Sequence, residues 1–190
     1  MELLKQVILE KGSTLGTEII KVDNFLNHQI DIPLLEKMGE EFYELFKNEK
    51  ITKVLTIESS GIAIAYPVAK KFNVPLVFAK KDKPKNIGKD VYSTDVYSFT
   101  KDTTYGVFVS KKYLNEDDSV LIIDDFLANA QASIGLIKIC EQAGAKIAGI
   151  GIAIEKQWQR GSDLLRKMNY RVESLAIIKH IEDGNVVFAN

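Results

Sequence analysis

One stretch, Ser119 to Ala132 (SVLIIDDFLANAQA), constrains the fold more than any other part of this sequence. It opens with apolar residues from Val120 to Ile123, and two adjacent aspartates, Asp124 and Asp125, follow directly. Four consecutive apolar residues with polar neighbours are typical of a buried strand in a parallel sheet. The stretch therefore predicts a strand that ends at Ile123, followed by the two acids and a loop of small residues.

A helical apolar pattern begins at Ile134, so the small-residue loop leads from a strand into a helix. In open α/β sheets, ligands bind beyond the carboxyl ends of strands, where the N–H groups of a following helix attract anions. With two carboxylates that can bind sugar hydroxyls, such a loop suits a phosphorylated sugar. A helix cap followed by a solvated loop has the same pattern, and the pattern alone leaves both interpretations open.

The other segments fit the same architecture. Further strands are predicted at Lys53–Ile57, Leu76–Ala79 and Lys146–Ile154, and a long amphipathic helix begins at Pro33. A helix from Ile62 to Phe72 contains Pro67, which predicts a kink or an early stop. Strand, helix and strand in succession favour parallel pairing, so the predicted fold class is α/β with a mostly parallel central sheet flanked by helices.

Composition limits the possible functions. The chain has 190 residues with 46% hydrophobic content, which predicts a single domain over residues 1–190. Its net charge of −1 gives no electrostatic argument for nucleic acid, and no apolar run approaches the length of a membrane span. The first residues form an amphipathic pattern unlike a signal peptide, so we expect a cytoplasmic protein. A lone Cys140 and two scattered histidines predict neither a disulfide nor a metal site.

Three other segments carry polar or aromatic signals. The turn Glu58–Gly61 between a strand and a helix is either an ordinary helix cap or an anion-binding turn. Five lysines fall between Lys80 and Asp90, and two β-rich runs, Val91–Thr100 and Thr104–Ser110, then predict a hairpin. Trp158 follows a predicted strand end and is either a platform for a ring or a partly exposed aromatic cap.

The segment DDFLANAQA resembles the ribose-phosphate-binding signature of type I phosphoribosyltransferases, and the resemblance extends over nearly the whole chain. It implies the type I fold, with a hood made by residues 17–31 and the C-terminal segment, and a flexible loop over residues 80–110. It also implies a homodimer that transfers the phosphoribosyl group of phosphoribosyl pyrophosphate (PRPP) to N9 of a purine, with xanthine expected. Mg²⁺ bound with the diphosphate, without a dedicated protein site, is the implied cofactor, and neither nucleic acid nor membrane is an expected partner.

The resemblance also assigns roles to residues. Asp124 and Asp125 are the implied catalytic residues, because their carboxylates bind ribose hydroxyls and face the positive charge that develops on the sugar. The implied xanthine contacts are Ile20, Asn27, Lys156 and Trp158. The implied PRPP contacts are Ser59, Ser60, Gly61, Lys80, Lys81, Ala128, Asn129, Ala130, Gln131 and Ala132.

Three alanines depart from the family's usual pattern. Many purine members have an acid near Ala128 and a hydroxyl near Ala132, and neither alanine can supply one. We therefore expect phosphate binding to rely on backbone amides together with Asn129 and Gln131. Glycine is usual at Ala130, so the methyl group there matters if the loop needs a positive φ.

Two alternative functions remain open at this point. The first is a non-catalytic purine or PRPP sensor like the purine repressor, for which residues 1–16 before the first predicted strand leave no room for a DNA-binding module. The second is salvage of guanine, hypoxanthine or adenine by the same mechanism. Pocket polarity separates these purines, and the sequence does not settle it.

Overall fold

The computed structural model describes residues 1–81, 90–98 and 102–189. The helices are α1 Glu2–Lys11, α2 Ile32–Phe46, α3 Ser60–Phe72, α4 Gln131–Ala143 and α5 Gly161–Lys167. The strands are β1 Ser13–Leu15, β2 Ile19–Lys21, β3 Lys53–Ile57, β4 Leu76–Ala79, β5 Val91–Ser98, β6 Thr103–Ser110, β7 Ser119–Leu127, β8 Lys146–Lys156, β9 Val172–Glu182 and β10 Asn185–Phe188. In these described ranges, no helix has the length and apolar character needed to cross a membrane.

A six-stranded sheet in the order β10-β9-β8-β7-β3-β4 forms the centre of the molecule. All neighbouring strands are parallel except β10, which pairs antiparallel with β9 at one edge. The predicted fold class, α/β with a mostly parallel central sheet flanked by helices, is confirmed. Because the five parallel strands run the same way, their carboxyl ends meet along one edge, where a ligand site is expected.

Two hydrophobic clusters cover the two faces of the sheet. Helices α1, α2 and α3 contribute to one cluster, and residues Val22, Phe25 and Leu26 extend it beyond β2. Helices α4 and α5 contribute to the other cluster, which also includes Val96 and Val107 of the β5–β6 hairpin. Alternation along β7 follows this division, since Leu121 and Ile123 belong to the first cluster and their neighbours to the second.

The central strand is longer than its apolar run predicts. We expected β7 to end at Ile123, but it continues to Leu127, so both aspartates lie on the strand itself. Likewise β8 extends two residues past the predicted end at Ile154. The reason is mutual pairing: β7 and β8 remain paired as far as Leu127 opposite Glu155, and ladder hydrogen bonds outweigh the weak strand preference of acidic residues.

Helix α3 runs through Pro67 to Phe72, so the predicted early stop is wrong. The proline is buried where α3 packs against α2, and an added Cβ on Gly39 of α2 would lie 2.7 Å from the Pro67 Cβ. Close packing between the two helices holds the proline in place and compensates for its missing N–H donor. Helix α4 also begins earlier than predicted, at Gln131 rather than Ile134.

Two small hairpins stand apart from the central sheet. The first, β1–β2, was predicted only as a short strand, and a π-helical turn from Asp23 to Asn27 follows it. Thr14 Oγ1 donates a hydrogen bond of 2.8 Å to Gly184 O, which joins this hairpin to the turn between β9 and β10. The second hairpin, β5–β6, confirms the prediction for residues 91–110. Residues 82–89 and 99–101 of the expected flexible loop lie outside the described ranges.

A buried ion pair fixes the amino end of β7. Asp118 accepts hydrogen bonds from Lys53 Nζ at 2.9 Å, Thr52 Oγ1 at 3.2 Å and Asn115 N at 3.0 Å. Burial alone would raise the pKa of the Asp118 carboxyl, but the bonds from Lys53 and Asn115 lower it below its usual value. This cluster lies at the end of β7 opposite to the aspartate pair and ties β7 to β3.

Candidate active site

The aspartate pair lies at the carboxyl end of β7, in the middle of the sheet edge. Asp124 is 4% exposed and Asp125 is half-buried. Asp124 Oδ1 accepts a hydrogen bond of 3.0 Å from the Asp125 N–H, and Asp125 Oδ1 accepts one of 2.9 Å from the Phe126 N–H. These bonds to the strand's own backbone fix both side chains before any ligand arrives.

Asp125 faces the segment that was predicted as the hood. Alternation places it on the same face as Leu121 and Ile123, toward the cluster that includes Phe25 and Leu26. Asn27 Nδ2 accordingly donates to Asp125 Oδ2, with 3.5 Å between the two atoms. The structure thus brings a predicted xanthine contact and a predicted catalytic residue into direct contact.

The surroundings of Asp124 disfavour its charged form. Burial raises the pKa of Asp124 well above its usual value, and the neighbouring Asp125 charge raises it further, while Lys81 acts in the opposite direction. The pKa of the Tyr105 phenol is also raised, first by burial and then by the Asp124 charge. The Lys81 ammonium lies 5.2 Å from the centre of the Tyr105 ring. These side chains therefore form one electrostatic group.

The turn before α3 lies beside Asp124. An added Cβ on Gly61 would overlap Thr56 Oγ1 and would lie 3.3 Å from Asp124 Oδ1, so only glycine allows this approach. Thr56 Oγ1 is buried and has no hydrogen-bond partner among the described residues. Ser59 is exposed and Ser60 is half-buried, and both precede free N–H groups of the helix. The arrangement suits an anion next to the acid pair.

The two predicted lysines point in different directions. The Lys81 N–H donates to Glu58 Oε1 at 2.6 Å, which holds Lys81 against the turn before α3. The Lys80 ammonium instead lies 5.9 Å from the Phe78 ring centre and lines an apolar groove with Phe108 and Tyr113. The structure therefore groups Lys81 with the acid pair, whereas Lys80 lies apart from it.

The small-residue loop from Ala128 to Ala132 precedes α4 and offers its N-terminal N–H groups. Ala130 has φ +67°, in the left-handed region where glycine is favoured. The loop therefore does need a positive φ at the position where the family usually has glycine, and the alanine methyl group is strained there. Gln131 N donates to Asn129 Oδ1 at 3.4 Å, so the Asn129 side chain supports the first turn of α4.

The strained alanine gives the first testable prediction. Ala130→Gly should raise the free energy of unfolding by up to about 1 kcal/mol, because relief of the left-handed conformation exceeds the entropy that glycine adds to the unfolded chain. Denaturant unfolding of the two proteins measures the change. Gly144→Ala is the matched reverse variant, because Gly144 has φ +69° at the other end of α4 and should lose stability. A loss of stability in Ala130→Gly would contradict the assignment of strain.

A cavity of about 380 Å³ opens between this loop, the β1–β2 hairpin and the β5–β6 hairpin. It is lined by Glu18, Ile19, Val96, Tyr97, Tyr105, Ala128, Asn129, Gln131, Ala132, Lys156 and Gln159. Lys156 and four residues of the small-residue loop thus share one space, as the assignments from sequence require. The volume lies within the range of ordinary small-molecule sites.

Of the four predicted xanthine contacts, Lys156 alone is among the described residues that line this cavity. Lys156 lines it, donates 2.8 Å to Glu18 O of the hood segment and lies 5.6 Å from the Phe126 ring centre. Burial lowers the pKa of the Lys156 ammonium. Ile20 is buried in the core behind Ile19, and Trp158 packs partly against the same core. Ile20, Asn27 and Trp158 are not among the described residues that line the cavity.

The sequence did not identify Tyr105, Phe126 and Gln159 as parts of the site. Tyr105 and Gln159 line the cavity, and Phe126 lies under the Lys156 ammonium. Phe126 directly follows the acid pair, so an aromatic residue at a strand's carboxyl end was a usable signal. Tyr105 reaches the site only because its hairpin folds over α4, and local sequence carries no signal for that.

Hard oxygen donors dominate the acid end of the site. Within the described ranges, no group of three or more His, Cys, Asp or Glu side chains gathers to hold a metal ion. Asp124, Asp125 and the hydroxyls of Ser59 and Ser60 nevertheless fit Mg²⁺, which prefers oxygen and binds through one or two carboxylates together with substrate phosphates. These residues therefore suit a metal that arrives with a diphosphate.

The fold and this site define the class of protein. A family model described as "Phosphoribosyl transferase domain" matches residues 21–188. The chain belongs to the phosphoribosyltransferase family. Its fold also resembles adenine phosphoribosyltransferase from Rhodothermus marinus, with a TM-score of 0.74 and 23% identity over 93% of this chain and 97% of that one. A second such structure, from Giardia lamblia in complex with 9-deazaadenine, gives a TM-score of 0.72 at 26% identity and covers 86% and 88% of the two chains.

Curated relatives narrow the comparison within the family. A xanthine phosphoribosyltransferase from Ruminiclostridium cellulolyticum is 55% identical over 99% of each chain. Another from Clostridioides difficile is 53% identical over 99% of this chain and 100% of the relative. Full-length similarity of this degree covers every element of the site described above.

Proposed function

We propose that this protein is an enzyme that transfers the phosphoribosyl group of PRPP to N9 of xanthine, giving xanthosine 5'-monophosphate and diphosphate. The observation that carries the proposal is the cavity that joins Lys156 to the small-residue loop beside the acid pair. One end offers amides for a phosphate and the other a cation for a purine oxygen. Two curated relatives that are 55% and 53% identical to this chain are xanthine phosphoribosyltransferases.

The chemistry explains why the acid pair is needed. Displacement at C1 of the ribose leaves positive charge on the sugar ring in the transition state. Asp124 and Asp125, held by backbone N–H groups at the strand end, accept hydrogen bonds from ribose hydroxyls and place negative potential next to that charge. Because both side chains are already fixed, little reorganisation is required when the charge develops.

Departure of diphosphate needs positive charge on the other side of C1. The turn at Ser59, Ser60 and Gly61 offers hydroxyls and helix N–H groups, and Lys81 is held beside it by Glu58. Mg²⁺, when bound with the diphosphate, supplies further charge neutralisation to the leaving group. Tyr105 of the β5–β6 hairpin lines the cavity beside the small-residue loop, and its pKa is raised by burial and in part by the Asp124 charge, so it is placed to help exclude water from the reacting atoms.

Base recognition combines the hood and the end of β8. Asn27 can donate to and accept from a purine that carries carbonyl groups, and Lys156 presents a cation to an oxygen acceptor. Ala128 offers no side chain for proton transfer, which fits a purine as acidic as xanthine. The proposal includes a hood over the base, formed by residues 17–31 together with the C-terminal segment. It also includes a homodimer, and light scattering of the purified protein would measure the mass of the assembly.

A single assay tests the proposed substrate. The purified protein is mixed with PRPP, Mg²⁺ and one of four purines, and diphosphate release is measured for xanthine, guanine, hypoxanthine and adenine. We expect kcat/KM to be highest for xanthine. Faster turnover of another purine would show that this purine, and not xanthine, is the substrate. No turnover of any purine would favour a non-catalytic sensor.

Replacement of Lys156 should narrow the purine preference. Xanthine carries a C2 carbonyl that hypoxanthine lacks, and a site that binds this oxygen leaves a polar group unpaired when it is missing. We expect Lys156→Ala to reduce the preference for xanthine over hypoxanthine by about 10-fold, or roughly 1.4 kcal/mol. The measurement is kcat/KM for both purines.

Trp158→Ala serves as the matched variant, because Trp158 lies two residues away and packs partly against the core. It should lower kcat/KM for both purines by the same factor. The pH dependence adds a further check: burial lowers the pKa of Lys156, so the wild-type preference should decline as the pH rises through that pKa. If Lys156→Ala lowers kcat/KM for both purines by the same factor, Lys156 does not bind the C2 oxygen, and Asn27 or another residue must do so.

A further inference from the structure

Glu155 is a buried acid that the proposed reaction does not use. It lies on β8 next to Lys156 and is 2% exposed. Its carboxyl group accepts a short hydrogen bond from Ser162 Oγ and one of 2.6 Å from Ser174 Oγ. Within the described part of the chain, no cation is paired with it. An apolar side chain of similar size would avoid the cost of burying a carboxyl group, so packing alone does not account for the acid.

The bond to Ser162 closes a loop of the chain. Between Glu155 and Ser162 lie Lys156, Trp158 and Gln159, the segment that borders the base end of the cavity. We call residues 156–161 the base segment. Because Glu155 lies on the sheet and Ser162 lies in the first turn of α5, the hydrogen bond fixes both ends of the base segment to the rigid core.

The base segment also contacts the small-residue loop directly. Gly161 N donates a hydrogen bond of 2.9 Å to Ala128 O. An added Cβ on Gly161 would overlap Ala128 O and would lie 2.9 Å from Ala130 N. Any displacement of the small-residue loop must therefore move Gly161, and Ser162 with it.

We propose that Glu155 is a positioning residue that couples the small-residue loop to the base segment, so that phosphate bound at the loop sets the base segment in its binding position. The inference rests on the proposed function for the identity of the two ligands. The Glu155–Ser162 bond holds Gly161 against Ala128, and the same bond fixes the strand end from which Lys156 enters the cavity. Without it, the loop and the base segment adjust independently.

The chain contains a reporter for this coupling. Trp158 is the only tryptophan in the sequence and lies within the base segment. Ribose 5-phosphate serves as the probe, because it carries the phosphate of PRPP but lacks the leaving group, so no turnover occurs. We expect it to change the fluorescence of Trp158 and to lower the dissociation constant of the purine that the enzyme uses. The ratio of purine dissociation constants without and with ribose 5-phosphate measures the coupling.

Two serines supply a matched pair of variants. Ser162→Ala and Ser174→Ala each remove one hydroxyl donor from Glu155, but Ser162 directly follows the base segment whereas Ser174 lies on β9. We expect Ser162→Ala to reduce the coupling ratio by about tenfold and to raise KM for purine more than it lowers kcat. Ser174→Ala should keep the coupling ratio at the wild-type value, even if its melting temperature falls by as much as that of Ser162→Ala.

The outcomes separate the two proposals. The positioning role would be overturned if both serine variants showed the same coupling ratio. It would also be overturned if ribose 5-phosphate left the Trp158 fluorescence of the wild type unchanged. Either result would count even if xanthine is turned over normally. Turnover of another purine would instead overturn the substrate assignment, and the coupling would then be measured with that purine. If Ser162→Ala fails to fold, Ser162→Cys keeps the shape with a weaker donor and should show an intermediate loss of coupling.

Discussion

Asp124→Asn is expected to lower kcat by about 10²–10³-fold and to raise the melting temperature at neutral pH. The first effect follows from loss of the negative charge that faces the developing charge on the ribose. The second follows from burial, which raises the pKa of Asp124 well above its usual value in the folded protein. Kinetics with xanthine and PRPP, together with thermal unfolding, measure both effects on the same preparation.

The direction of the stability effect can be checked against pH. A carboxyl whose pKa is raised by folding stabilises the folded state only while it is protonated, and this contribution is lost as the pH rises through the raised pKa. The amide of the variant cannot ionise, so the variant's advantage should shrink as the pH falls toward about 4, the usual pKa of an aspartate. A variant that is less stable than the wild type at neutral pH would contradict the unfavourable burial of the Asp124 charge.

Asp125→Asn should move the pH profile in a predictable direction. The Asp125 charge helps to raise the pKa of Asp124, so its removal lets Asp124 ionise at lower pH. The acid limb of kcat should therefore shift to lower pH, and kcat should fall more than xanthine binding weakens. The Asp124→Asn and Asp125→Asn double variant should keep the fold and lose activity. A near-normal kcat in the double variant would show that the acid pair does not act in catalysis.

Asp118→Asn is the matched control for these variants. Asp118 is also a buried aspartate, but it lies just before β7, at the end of the strand opposite to the acid pair, and its hydrogen bonds lower its pKa. Its contribution to stability is present above the unfolded pKa and is lost as the pH falls through the folded pKa. Asp118→Asn should therefore lower the melting temperature at neutral pH and leave kcat of the folded protein unchanged.

Gly61→Ala is expected to lower kcat/KM for PRPP by about 100-fold. The added methyl group would overlap Thr56 Oγ1 and approach Asp124 Oδ1, so the turn before α3 must move away from the acid pair. Displacements of about 1 Å in a site of this kind cost activity on that scale. Steady-state kinetics at saturating xanthine and varied PRPP, with a thermal unfolding curve, test the prediction.

A second glycine separates the loss of activity from the loss of stability. Gly39 of α2 also lies close to α3, and an added Cβ there would lie 2.7 Å from the Pro67 Cβ. Gly39→Ala should therefore destabilise the protein but keep kcat/KM once the folded fraction is accounted for. Similar activity in the two variants would show that the approach of Gly61 to Asp124 does not matter for PRPP.

The sequence predicted the sheet well because the parallel strands are buried apolar runs. A run such as Val120–Ile123 needs no information from distant parts of the chain. The strand ends were predicted less well, since β7 and β8 extend each other by pairing beyond their apolar residues. For the same reason, the sequence placed the acid pair after the strand, whereas the structure places it on the strand.

The candidate site was only partly predictable. Asp124, Lys156 and the small-residue loop could be recognised because each follows or ends a predicted strand. Tyr105 could not, because its position depends on how the β5–β6 hairpin packs over α4. Gly135 of α4 allows that packing, since an added Cβ would overlap Val96 Cγ2. Nothing in the local sequence around Tyr105 indicates a contact of this kind.

The hydrogen bond from Lys156 to Glu18 O has a consequence for how this site tolerates natural variation. The acceptor is a main-chain oxygen, so every residue type at position 18 supplies it equally well. The Glu18 side chain contributes separately, because burial lowers the pKa of Lys156 and the charge of Glu18 acts against that effect. Insertions or deletions between β1 and β2 are a different matter, because they would displace the carbonyl itself. For the hydrogen bond to Lys156, the chain length between β1 and β2 therefore matters more than the residue type at position 18.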